Sequence, residues 1–224
     1  MNWFTNFFSS SIGRKLLMAL TGLFLILFLV VHLAGNLQLL HNDEGQAFNV
    51  YAHFMTSNPL IKVISYVNYA LILLHVIVAI MLTRANSSAR GGVGYAVKNN
   101  PSTLASRNMG ILGTLILIFL VIHLRGFWYE MHWGGIATRN YEGTDYKDLF
   151  AVVDFAYSNI WYVAVYVVSM IVLAFHLYHG FGSAFQTLGL NHIKYNGVIK
   201  FVGVAFAIIV PALFALIPIM MYLN

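Results

Sequence analysis

Five long apolar runs, separated by polar stretches, organise the chain. A transmembrane helix needs about 20 mostly apolar residues, and each run comes close to or exceeds that length. The first extends from Leu16 to about Leu40, and the second from Val63 to Thr83. The third begins at Arg107, passes Leu124 and ends near Trp128. The fourth occupies about Phe155 to Phe185, and the last starts between Val198 and Phe201 and ends at Leu223. Pro211 and Pro218 fall inside the fifth run and are expected to kink it, which packed membrane helices tolerate. Trp3, Phe4, Phe7 and Phe8 predict an interfacial anchor leading into Ser11-Ile12-Gly13-Arg14-Lys15. The first run is too long for the core of a signal peptide and holds a histidine, so no cleavable leader is expected. With no repeat and no linker, the pattern predicts an all-α integral membrane protein: a single domain over residues 1–224 with five transmembrane helices in a bundle.

Composition agrees and excludes other classes. Only 8% of the 224 residues are charged and 60% are hydrophobic, whereas ordinary soluble domains carry about 25% charged residues. A soluble enzyme, a disordered tail and a nucleic-acid binder are all excluded by so charge-poor a surface. The absence of cysteine rules out disulfides, iron–sulfur ligation and covalent c-type haem attachment by this chain.

Five spans put the termini on opposite sides, and the charges orient them. With the N-terminus inside, that side holds Arg14, Lys15, Arg84, Arg90, Lys98, Arg107, Lys194 and Lys200, against Lys62, Arg125, Arg139 and Lys147 outside. This eight-to-four split follows the positive-inside rule. All seven acids (Asp43, Glu44, Glu130, Glu142, Asp145, Asp148 and Asp154) fall on the outer side. The basic, Gly-rich loop from Arg84 to Ser106, with Pro101 just before the third span, is therefore internal. The Trp-, Tyr- and Gly-rich segment from Gly126 to Asp154 is expected to form a small outer cap.

Ionisable residues in a membrane core are costly and usually functional. Here they are histidines: His32, His75, His123 and His176 lie on spans one to four, one apiece, each late in its span. Successive spans run in opposite directions, so His32 and His123 belong to an outer layer and His75 and His176 to an inner one. His75 is nine residues before Arg84, about 13 Å along a helix, and His123 sixteen beyond Arg107, about 24 Å, which sets the layers on the order of 10 Å apart. Two imidazoles facing one another across a bundle core suit a six-coordinate haem iron. A bare pair leaves copper or zinc short of ligands. A single intramembrane histidine is often just a helix–helix hydrogen bond, but four paired by depth are not explained that way. Gly35, Ala79, Gly126 and Gly180, three or four residues after the respective histidines, would leave room for a flat macrocycle, although small residues are common at membrane helix interfaces. On span four His179 shares roughly one face with His176. The depth match selects His176 as ligand and leaves His179 as a haem or neighbouring polar contact. His41, His53, His132 and His192 read as surface residues.

These features together resemble a known family, the di-haem cytochrome b membrane anchor subunit of succinate dehydrogenase and fumarate reductase, most closely its single-subunit b558 type. The local matches are Ser11-Ile12-Gly13-Arg14-Lys15, Thr21-Gly22, His32-Leu33-Ala34-Gly35-Asn36-Leu37, and His176 to Gly180 continuing through Ser183-Ala184-Phe185-Gln186-Thr187-Leu188-Gly189. The motifs are short, and the specificity comes from their order and depth over essentially the whole chain. The resemblance implies a bacterial cytoplasmic membrane and a flavoprotein and an iron–sulfur subunit docked on the cytoplasmic face, in a complex that can itself oligomerise. It further implies two b haems, a proximal one on His75/His176 and a distal one on His32/His123, carrying electrons from succinate to a quinone, menaquinone by expectation. Fumarate reduction is the same path reversed. In some fumarate-reducing members a glutamate two residues before the fourth-span ligand carries protons; here that position is Ala174.

A quinone headgroup needs hydrogen-bond donors at the edge of an apolar pocket. Asn36, Gln38 and His41 offer them at the outer end, and Ser10, Ser11 and Arg14 at the inner end. Three other readings stay open: a di-haem cytochrome b serving a hydrogenase, formate dehydrogenase or ascorbate system; a transporter with proton-relaying histidines; and a haemless structural anchor.

Overall fold

The computed structural model describes residues 2–90 and 104–224; Lys98 and Pro101 of the basic loop lie outside the described residues. A short helix α1 (Trp3–Ser9) leads into α2 (Ser11–Asn36), which tightens into a 3-10 turn over Leu37–Leu40. Next come α3 (Gln46–Ser57), α4 (Pro59–Arg90), α5 (Leu104–Arg107) and α6 (Met109–His123). A π-helical turn (Leu124–Trp128) and α7 (Tyr129–Trp133) prolong α6. The strands β1 (Thr138–Tyr141) and β2 (Thr144–Lys147) precede α8 (Leu149–Tyr157), α9 (Ile160–Thr187) and α10 (Asn196–Leu223).

Among the described residues, five helical segments are long and apolar enough to cross a membrane: Ser11–Leu40, Pro59–Ala89, Met109–Trp133, Ile160–Thr187 and Asn196–Leu223. They alternate in direction, as a multi-pass membrane protein requires, and their outward residues, such as Leu27, Val63, Ile118, Val168 and Ile208, are exposed apolar side chains that only lipid would cover.

Several boundaries differ from those read in the sequence. The fourth apolar run is not one helix from Phe155. It divides at Ser158–Asn159, where the Asn159 side chain accepts from Trp161 N at 2.9 Å and starts α9, leaving Phe155 in α8. The second span begins at Pro59 and includes Lys62; the Asn58 side chain caps it by accepting from Leu60 N at 2.9 Å. The third span runs on to Trp133 and so takes in Glu130, paired with Arg125. Pro211 and Pro218 sit within one continuous α10 and are buried.

Apart from α1 and α5, the elements outside the spans gather at one end, here termed the cap end; the chain's N-terminus lies at the other. The cap contains the two-stranded hairpin, whose Glu142–Gly143 turn has positive φ at both positions (51° and 83°), the type I′ geometry of tight hairpins. Leu39, Phe48, Phe127, Met131, Leu149, Val153, Tyr157, Val210 and Ile217 pack under it in one apolar cluster. A buried polar hub ties the cap together. Asn49, 1% exposed, donates to Asp148 Oδ1 (2.9 Å) and Tyr141 Oη (3.0 Å) and accepts from Phe150 N (2.9 Å). Arg139 Nε meets Asp148 Oδ2 at 3.3 Å. That carboxylate, then Tyr141, hold the Arg139 guanidinium above its already high range.

Truncating the hub should be felt across the cap. Asn49→Ala takes a partner from Tyr141, Asp148 and Phe150; Asp148 keeps Ala151 N and Arg139, and a buried group left with no partner costs about 1–3 kcal/mol. Thermal unfolding in mild detergent should show a lower midpoint for Asn49→Ala and near-parental behaviour for the exposed His53→Ala; equal midpoints would remove the hub from the stability argument.

Candidate functional site

Two imidazole pairs lie across the bundle interior. His75 on α4 and His176 on α9 stand with ring centroids 6.4 Å apart at an interplanar angle of 66°. His32 on α2 and His123 at the end of α6 stand 5.6 Å apart at 85°. The structure therefore brings together the same two pairs that helix direction selects in the sequence. Among the described residues no group of three or more His, Asp or Glu side chains converges as a metal cluster would.

The separation of the layers can be read from packing. A Cβ on Gly110 would lie 3.0 Å from Thr83, so α4 and α6 are level there. His75 is eight residues from that level and His123 thirteen, about 12 and 20 Å of rise, which leaves roughly 8 Å between layers. On α9 the ten residues between Tyr166, which reaches His123, and His176 give about 15 Å. The two values bracket the expected spacing.

The pair nearer the N-terminal end is sparsely furnished. His75 Nδ1 lies 2.9 Å from Thr21 Oγ1. His176 Nδ1 is buried with no hydrogen-bond partner. Space remains open over Gly113 and Gly180, where an added Cβ would meet nothing within 4 Å.

The pair nearer the cap is enclosed by aromatic rings. Phe28 stacks on His32 at 5.1 Å, and Phe214 of α10 comes within 5.7 Å of it. Phe119, Phe127 and Tyr166 surround His123, whose Nδ1 is 3.3 Å from Tyr166 Oη. Tyr157 and Tyr162 extend this wall. Burial, then the neighbouring Tyr162, pushes the Tyr157 phenol well above its ordinary range, so it stays neutral. The π-helical turn starts one residue after His123; such turns insert an extra residue and recur at functional sites. Here the turn brings Phe127 and Met131 inward, while Trp128 Nε1 donates to Tyr69 Oη on α4 at 2.8 Å.

Not every expected gap is open. At Gly35 an added Cβ would run into the Tyr51 ring, and at Gly126 into the Tyr162 hydroxyl. Both glycines accommodate tyrosines rather than leaving space. His41, His53, His132 and His192 are exposed, as expected of surface residues.

The hydrogen-bond donors considered for a quinone do not converge on a cavity. Asn36 Nδ2 donates to the His32 carbonyl at 2.7 Å and Gln38 Nε2 to that of Ala34 at 3.3 Å, so both are turned back onto their own helix. At the other end Ser10 caps α2, accepting from Gly13 N at 3.0 Å and donating to the Phe7 carbonyl. Ser11 is exposed, and Arg14 Nε is buried without a partner. A groove of about 470 Å³ opens instead between α9 and α10 at the N-terminal end, lined by His179, Phe181, Ser183, Gln186, Asn191 and Lys200 among others. Sequence reading missed it because its walls come from two helices joined by a turn of unremarkable composition.

The donor set suits a haem iron: each pair offers two imidazoles, with ring centroids 5.6 and 6.4 Å apart. Each site offers two imidazoles, apolar walls and no competing carboxylate within its span level. Comparison with family profiles, curated proteins and solved structures yields no match.

Proposed function

We propose that the protein is the membrane anchor and electron-transfer subunit of a succinate:quinone oxidoreductase, holding two b haems. The observation that carries this reading is the occurrence of two imidazole pairs, each bridging non-adjacent spans, each without a third ligand among the described residues and stacked along the bundle axis. Bound there, the haems would supply one-electron transfer between a soluble dehydrogenase and a quinone. His75 and His176 would hold the proximal one, and His32 and His123 the distal one. The aromatic wall of Phe28, Phe119, Phe127 and Phe214 keeps water from the distal pair, and the spans keep lipid from both. Fumarate reduction is the reverse direction of the same arrangement.

The N-terminal end is the proposed cytoplasmic face, where flavoprotein and iron–sulfur subunits dock. Arg14, Lys15, Arg84, Arg107, Lys194 and Lys200 cluster there, whereas the three ion pairs among the described residues all belong to the cap end. This suits an acidic docking partner as well as the positive-inside rule. A reporter fused after Asn224 should then lie outside the cytoplasm, and one inserted near Gly92, beyond the described residues, should lie inside; the same compartment for both overturns the topology. Purification in mild detergent is the test of function. Reduced α and β bands of low-spin haem, with a flavoprotein and an iron–sulfur protein co-purifying, are expected; a colourless chain or a hydrogenase partner would refute the assignment.

In this reading menaquinone is reduced at the cap end, near the His32/His123 pair, where His41 is the exposed polar side chain left by Asn36 and Gln38, whose amides bond to their own helix. A second reading is favoured by the groove containing His179 and Lys200, whose volume falls in the usual range for small-molecule sites. It would put quinone at the N-terminal end. The two readings differ in whether electrons cross the membrane field.

A further inference from the structure

We propose that Thr21 is a positioning residue for the inner imidazole pair: its hydroxyl fixes the Nδ1–H tautomer of His75 and so leaves Nε2 as the nitrogen available for a metal. Thr21 is 2% exposed on α2, facing α4. Its Oγ1 lies 2.8 Å from the Leu17 carbonyl, 3.2 Å from the Met18 carbonyl and 2.9 Å from His75 Nδ1. A threonine hydroxyl has one proton to give and lone pairs to accept with. Both carbonyls can only accept; with the hydroxyl proton on the nearer one, at 2.8 Å, the short contact to His75 is satisfied when Nδ1–H donates to Oγ1, which is the arrangement proposed. A neutral imidazole protonated at Nδ1 carries its lone pair on Nε2. The next residue completes the seat: a Cβ on Gly22 would come to 3.5 Å from His75 Cε1, so the ring edge rests against α2.

The consequence falls on one pair and one ligand. Partners that accept the second N–H of a ligating histidine orient the ring and raise the basicity of the ligating nitrogen. His176 has no such partner at Nδ1, and the corresponding contact in the other pair, His123 with Tyr166, is longer at 3.3 Å. Thr21 therefore strengthens His75 as a donor, favouring the oxidised form of whatever iron it binds and lowering that centre's midpoint potential. The potential rests on the haem reading above; the tautomer does not.

The experiment uses the full chain with its co-purifying partners. Thr21→Val keeps the shape and removes the acceptor, and Thr21→Ser keeps the acceptor. Nitrogen-15 histidine spectra of the haem-free chain give the tautomer, and redox titration with low-temperature electron paramagnetic resonance of the loaded complex gives the potentials. In Thr21→Val, His75 should lose its fixed Nδ1–H form. One haem component alone should also become easier to reduce, its reduced-to-oxidised ratio at fixed potential rising about three- to tenfold, a tenfold change being about 59 mV for one electron. Thr21→Ser should match the parent in both measurements. An unchanged tautomer in Thr21→Val, equal movement of both haem components, or a serine variant that behaves like valine would overturn the proposal. A parental chain that shows the tautomer but binds no haem would instead overturn the functional reading and leave this inference standing.

Discussion

Replacing His75 or His176 by alanine should remove one and the same haem, and replacing His32 or His123 should remove the other. The haem-to-protein ratio should fall from two to one in the His32, His75 and His123 variants, because among the described residues no third ligand stands beside those histidines. Loss is expected to be complete at the cap-end pair. Phe28, Phe119, Phe127 and Phe214 line it, and none can donate to a metal. At the other pair His179, one turn from His176 on the same helix and half-buried, is the one imidazole close enough to substitute. Pyridine haemochrome counting with redox titration of the four variants checks this. If His75→Ala and His123→Ala lose the same component, the pairing is wrong. If His176→Ala keeps both haems while His179→Ala loses one, the ligand lies a turn nearer the N-terminal end.

Menaquinone-linked succinate oxidation in intact cells should fall about threefold or more when an uncoupler collapses the membrane potential, while succinate oxidation by a soluble high-potential dye should not change. The proposed polarity takes electrons in at the cytoplasmic N-terminal end and delivers them towards the cap. In a cell that is negative inside, that movement is assisted by about 2.3 kcal/mol per electron per 100 mV for full crossing, less for part of the way. The assistance matters because the resemblance implies that reducing menaquinone with succinate is uphill. A proton following each electron would cancel it. Ala174 stands where the resemblance would put a proton-carrying glutamate, and the one acid within a span helix, Glu130, is ion-paired with Arg125 at the cap end, far from His176. Equal rates with and without uncoupler, at unchanged succinate uptake, would move quinone reduction to the groove beside His179 and Lys200.

Much of this arrangement is legible in the sequence because lipid imposes a simple rule: a span must be long and apolar, so any histidine within it stands out, and alternating direction converts position into depth. That logic pairs His32 with His123 and His75 with His176 without coordinates. It fails where side chains from different elements interdigitate. Gly35 looks like room for a ligand, yet Tyr51 of α3 fills it, and α3 itself lies in a stretch whose polarity reads as loop. Phe214 reaches His32 from a span that carries no histidine. The division at Ser158–Asn159 is hidden by apolar residues on both sides, although Asn159 as a helix-starting residue is a visible signal. The π-helical turn has no sequence signature, and the bond from Trp128 at its end across to Tyr69 joins residues 59 apart in the chain.

The hub at Asn49 also imposes an order on how the chain is made. Its partners Tyr141, Asp148 and Phe150 lie 92, 99 and 101 residues further along. At a synthesis rate of roughly 5–20 residues per second they appear about 5–20 s after Asn49 does. During that interval the segment between the first two spans has left the membrane with Phe48 and Asn49 unpartnered, and it can close only when the segment after the third span has been delivered to the same side. A nascent chain arrested before Tyr141 therefore exposes Phe48 and Asn49, which the finished protein buries, a mark by which a protease or holding chaperone can tell the unfinished product from the complete one.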